Sequence, residues 1–187
     1  MSDRPARLSG DRGGPAGDFD IAVVPDDASR PLHEALAPFA GLLGTWRGVG
    51  VGGYPTVDSF RFGQEVVFGH AGKPVLSYRS RSWLIDEDGR VLQPSATESG
   101  YWRIAAGGLE VVLAHGSGLV EIWVGEIRGN QIEIGTDLVA RTSSAKEVTA
   151  GRRLYGLVDG DLLYAYDMAA VGQPLTPHLS ARLRKHT

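Results

Sequence analysis

Cysteine is absent from this 187-residue chain. That excludes disulfides, thiolate zinc sites, iron–sulfur clusters and cysteine nucleophiles together. It also fits a reducing cytoplasm, where we expect the protein to work. No apolar run approaches the roughly 18 residues that a membrane-spanning helix needs, so no membrane partner is expected. The first residues carry no apolar signal-peptide core. Charge of one sign is lacking too. The net charge of −3 offers no electrostatic footprint for nucleic acid. Catalytic signatures are equally sparse. There is no G-x-S-x-G elbow, and "GVGVGGYPT" is followed by neither Lys-Ser/Thr nor a helix, so it is no phosphate loop.

Glycine is plentiful, at 26 residues. The opening "MSDRPARLSGDRGGPAGD" has almost no large apolar residues, and residues 1–20 read as a disordered leader. The stretch 30–43 then predicts one short helix lying across one end of the domain. Asp27 or Ser29 would cap it, Pro31 would sit in its first turn, and Leu32, Leu36, Phe39 and Leu43 would form its apolar stripe. Gly41 or Gly44 would end it.

From Thr45 on, alternation replaces helical spacing. It predicts strands at 45–51, 58–69, 74–86, 99–106, 109–115, 119–128, 131–140, 147–158, 161–169 and 179–185. Gly129-Asn130 and Asp159-Gly160 read as two-residue hairpin loops. About ten strands joined by tight turns make an all-β, antiparallel up-and-down meander. Closing it into a barrel removes both sheet edges. Such a barrel is wide enough to hold a ligand.

The five histidines are His33, His70, His115, His178 and His186. No two share a metal-binding spacing, although a site assembled from distant histidines is not excluded by that. His33 falls on the cap helix, His70 in a hairpin loop, His115 at a strand end, and His186 at the terminus. His178 stands apart, because Pro174 and Pro177 stiffen the chain that leads to it. Leu179, Ala181 and Leu183 alternate with Ser180 and Arg182, and strict period 2 turns His178 away from the leucines, so either His178 lies before the regular strand or the Ser180 and Arg182 face is the inward one. Arg79, Arg81, Arg152 and Arg153 read as solvated strand faces. Trp46, Trp83, Trp102 and Trp123 lie on four strands, as core or as walls for a flat aromatic ligand.

Four stretches taken together carry a resemblance. They are "GTWRGVG" (Gly44, Trp46, Gly48 and Gly50 in a G-x-W-x-G-x-G pattern), "GGYPT" ending at Thr56, "SAKE" containing Lys146, and "MAAVGQPLTPHLSARL" containing His178. In this order they resemble the nitrobindin family of haem-binding β-barrels, from about residue 35 to the end. The resemblance implies a ten-stranded barrel domain over residues 21–187, holding one ferric haem b with His178 as its axial iron ligand. It implies that Thr56 and Lys146 touch the cofactor, and that the protein binds nitric oxide and isomerises peroxynitrite to nitrate. No distal acid–base pair stands out, so no catalytic group is expected beyond the haem iron. The barrel pattern alone would also suit a non-catalytic carrier of a fatty acid, with Arg152 or Arg182 facing inward, or a haem-based nitric oxide sensor. Whether the chain forms a homodimer is left open by the sequence.

Overall fold

The computed structural model describes residues 30–186. The leader at 1–20 and the helix-capping residues Asp27 and Ser29 lie outside that range. Ten strands form one closed antiparallel barrel. They are β1 (Gly44–Tyr54), β2 (Val57–His70), β3 (Leu76–Ile85), β4 (Val91–Ala105), β5 (Gly108–His115), β6 (Leu119–Arg128), β7 (Gln131–Arg141), β8 (Val148–Val158), β9 (Asp161–Ala170) and β10 (Thr176–His186). Each strand pairs with its neighbour in sequence, and β1 closes the ring onto β10. Both expected two-residue hairpins form. Asp159 and Gly160 take φ of 52° and 83°, the left-handed geometry that tight hairpin turns require.

The helix is a 3-10 segment, Glu34–Leu42. Pro38 has no amide to donate, and the first turn closes with an i→i+3 bond from Leu36 N to His33 O at 2.8 Å. Its N-cap is His33, whose Nδ1 accepts from Ala35 N. Leu36, Phe39 and Leu42 are buried against the barrel core, so the helix plugs one end.

The G-x-W-x-G-x-G stretch builds the seam between β1 and β10. Gly48 and Gly50 share the inner face with Trp46, two residues apart. A Cβ on Gly48 would lie 2.1 Å from Arg182 O, and one on Gly50 would lie 2.4 Å from the Phe62 ring. Only glycine permits so close an approach; the space goes to the β10 backbone at Gly48 and to the Phe62 ring of β2 and Ser180 O at Gly50. Trp46 is 1% exposed, and its indole N–H donates to Leu42 O at 2.7 Å, tying helix to barrel. The Lys185 ammonium lies 5.2 Å from its ring. Trp46→Phe keeps an aromatic ring but loses the indole N–H, part of the buried bulk and some of the attraction to Lys185. We expect it to cost about 1–3 kcal/mol in urea unfolding, one hydrogen bond plus the buried ring area removed. Trp102 and Trp123 are also core residues, whereas Trp83 lies outside, over Gly63.

Several boundaries differ from the sequence reading: the helix starts at Glu34 rather than 30 and β1 runs on to Tyr54 rather than 51. Strand β4 begins at Val91 rather than 99, and β10 begins at Thr176 rather than 179. Residues 91–97 are exposed throughout, so no buried alternation marks them as a strand.

Candidate functional site

The end of the barrel opposite the helix is a mouth. It is ringed by the ends of β1, β3, β5, β7 and β9 and the starts of the strands that follow them. His178 stands at this mouth. The β10–β9 register runs Pro177↔Asp167 and then Leu179↔Tyr166, which leaves His178 as the extra residue of a β-bulge. The bulge answers the alternation problem. An inserted residue re-aims a side chain without shifting the strand beyond it. Ala181 and Leu183 face the core, Ser180 and Arg182 face solvent, and His178 still turns inward beside Leu179. The aromatic rings of Tyr54, Phe60 and Tyr166 pack around the imidazole, with centroids 5.5, 6.4 and 5.8 Å away.

A hydrogen bond fixes the ring's tautomer. Nδ1 lies 3.0 Å from Gly53 O. A carbonyl only accepts, so Nδ1 carries the proton and Nε2 keeps its lone pair. No hydrogen bond to Nε2 is made among the described residues. Tyr54 supports the arrangement, because its hydroxyl accepts from Ala170 N at 2.9 Å and donates to Met168 O at 3.0 Å. The turn before β10 is held as well. Val171 takes φ 47°, costly for a β-branched residue, while its amide bonds Glu147 O at 3.0 Å.

Two hollows share Phe60, His178 and Leu179. One is an interior cavity of about 200 Å³, and the other is a groove of about 920 Å³ at the mouth. Around this end Val57, Leu92, Leu138, Val171 and Leu175 are each at least 41% exposed. A neutral imidazole with a free nitrogen, flat aromatic neighbours and an apolar rim suit a flat, largely apolar macrocycle that carries a metal of borderline softness. Thr56 and Lys146 lie in loops at the same mouth, and both are exposed. His33, His70 and His186 lie at the far end. His70 is not a loop residue but the buried end of β2, where its Nδ1 accepts from Gly72 N. Among the described residues no group of three metal-ligating side chains converges.

The deeper wall of the cavity is charged, which the sequence reading missed. Arg153 is not solvated. It is 5% exposed, bonds Glu98 at 2.9 Å, and stacks with its guanidinium carbon 5.0 Å from the Trp123 ring centroid and 4.6 Å from that of Tyr166. Burial alone would push the Glu98 carboxyl up. The Arg153 charge and its hydrogen bonds outweigh this, with His115 and the Tyr78 hydroxyl adding to them, so the carboxyl lies below its usual range. Burial raises the Tyr78, Tyr155, Tyr164 and Tyr166 hydroxyls, keeping them neutral. Arg152 and Arg182 point outward instead, paired with Glu133 and Asp161. The inward arginine is thus already neutralised, which disfavours the carboxylate-carrier reading.

Fold and site together define a closed β-barrel that presents at an apolar mouth an imidazole tethered through Nδ1. Residues 35–185 match the family described as THAP4-like, heme-binding beta-barrel domain, and the chain belongs to that family. It is 50% identical over 161 residues to a peroxynitrite isomerase from Nocardioides sp., covering 86% of this chain and 98% of that one. It is 47% identical over 179 residues to a ferric nitrobindin-like protein from Kineococcus radiotolerans, covering 87% and 98% respectively. The crystal structure of Rv2717c from M. tuberculosis superposes with a TM-score of 0.73 at 39% identity, covering 84% of this chain and 100% of that one.

Proposed function

We propose that this protein holds one ferric haem b through His178 and isomerises peroxynitrite to nitrate, with nitric oxide a second ligand of the same site. The observation that carries the reading is the imidazole itself, tied through Nδ1 to Gly53 O with Nε2 left free beside the cavity. When bound, haem supplies an electron-accepting iron at which peroxynitrite rearranges. The chain's own residues do the rest. The Gly53 carbonyl and the rings of Tyr54, Phe60 and Tyr166 hold His178 in one orientation, and the hydrogen bond to Nδ1 raises the basicity of Nε2. The exposed apolar rim would cover the edge of the macrocycle. We assign Thr56 and Lys146, exposed at this mouth, to its polar edge, where Lys146 offers a positive charge to a propionate. The cysteine-free composition accords with a cytoplasmic setting.

Titrating the apo-protein with haemin tests the reading. One equivalent should generate a saturating Soret band, and the loaded protein should convert added peroxynitrite to nitrate faster than buffer does. A titration without saturation, or an unchanged decay rate, would overturn it.

A further inference from the structure

The cavity has a second wall, and it faces His178. In the closed order of ten strands, β5 lies five strands from β10 in either direction, so the two are diametrically opposed. β10 starts at the mouth and β5 ends there. His115, the last residue of β5, therefore sits across the lumen from His178, and both line the same 200 Å³ cavity. Its Nε2 is 2.7 Å from Glu121 Oε2. That carboxylate oxygen also accepts from the Trp123 indole at 3.1 Å, and Glu121 is 1% exposed. The imidazole is thus held by a carboxylate that is itself pinned in the core. Nδ1 is the ring nitrogen left over, with Glu98 Oε2 3.8 Å away, beyond hydrogen-bond distance. Two further polar atoms of this wall are buried without a partner, the acceptor Glu121 Oε1 and the donor Arg153 Nε. Both lie behind the cavity surface, so the polar group this wall presents to an occupant is the His115 ring, which lines the cavity with Nδ1 unspent.

We infer that His115, oriented by Glu121, is the hydrogen-bonding residue for the small molecule bound at the face of the haem turned away from His178. This rests on the haem reading above and adds to it a residue that selects among ligands. A haem held by His178 would have its other face toward the opposite side of the lumen, where His115 lies. The polarity and hydrogen bonding of that side decide which small ligands are held and how they react. His115 is then the group that touches the ligand, and Glu121 is a positioning residue. The Glu121 carboxylate only accepts, so Nε2 carries the proton and Nδ1 of the neutral ring is an acceptor; the ligands favoured are small polar ones that present a proton to it.

The test uses the haem-loaded protein with two probes, carbon monoxide on the ferrous form and fluoride on the ferric form. In His115→Leu the infrared C–O stretch should move and the fluoride dissociation constant should change by roughly ten- to a hundredfold, the size of a hydrogen bond to a charged group. A rise in the stretch with weaker fluoride binding shows that Nδ1 donates. A fall with tighter binding shows that Nδ1 turns a lone pair to the ligand, ready to accept from one that carries a proton. His115→Gln, which keeps polar atoms near the same place, should give intermediate values, and it serves alone if the leucine variant does not fold. Glu121→Gln should shift the stretch in the same sense, because it loosens the ring. An unchanged stretch and unchanged fluoride affinity, in a His115→Leu protein with a wild-type Soret band, would overturn the assignment and leave the haem reading standing. Failure of wild-type protein to form a Soret band would overturn the haem reading itself.

Discussion

His178→Ala is expected to cost the protein its haem while leaving its fold intact. The substitution removes the free Nε2 and the hydrogen bond to Gly53 O. Losing a partner that merely orients a metal ligand typically costs about 10- to 100-fold in affinity. Losing the ligand itself should exceed that, so haemin should no longer give a saturating Soret band at micromolar protein, and nitrate formation should fall to the uncatalysed rate. The barrel has little reason to unfold. His178 is the unpaired residue of a bulge, and its neighbours Tyr54 and Tyr166 keep their own places, Tyr54 through bonds to Met168 O and Ala170 N. The apo-variant should lose only about 1 kcal/mol, one hydrogen bond, in urea unfolding. Free imidazole should restore part of the Soret band by entering the space left beside Phe60 and Tyr166. A variant that keeps a wild-type ferric spectrum would remove His178 from the site.

The strands were legible because ten alternating runs separated by Gly, Asn and Asp turns leave little else for the chain to do. The first half of β4 escaped notice for a physical reason. Residues 91–97 are exposed on both faces at the lip of the mouth, so period 2 has nothing to record there. The direction of His178 was hidden by its bulge. The regular alternation of Leu179, Ala181 and Leu183 says nothing about one extra unpaired residue before them. The charged wall, in contrast, left a signal that went unread. Arg153 is in phase with the buried Gly151 and Tyr155, Glu121 with Trp123, and Glu98 with Trp102. Three charges in phase with inward residues on three strands cannot all be solvated, and opposite signs among them mark a buried pair.

That pair carries the second large expectation. Arg153 lies between Trp123 and Tyr166 and meets Glu98 Oε2 at 2.9 Å, while the Tyr78 hydroxyl donates to Glu98 Oε1 at 3.0 Å. Glu98→Gln keeps the shape and removes the charge, stranding a guanidinium in the barrel. Breaking one side of such a pair costs about 3–5 kcal/mol, a large share of a domain's stability. Removing both charges should cost far less, so Glu98→Gln combined with Arg153→Met should recover most of the loss in urea unfolding. Acid provides an independent check. The folded Glu98 carboxyl lies below its usual range, so the unfolded chain takes up this proton first as the pH falls. The stabilisation is therefore complete above the unfolded value of about 4.3 and is lost as the pH drops through the lower folded value. Wild-type stability should decline over that acid range, and the double variant should decline less. If Glu98→Gln unfolded at the wild-type urea midpoint, with the same acid profile, Arg153 would have to find its counter-charge elsewhere in the lumen, and Glu98 would be no part of the wall that faces His178.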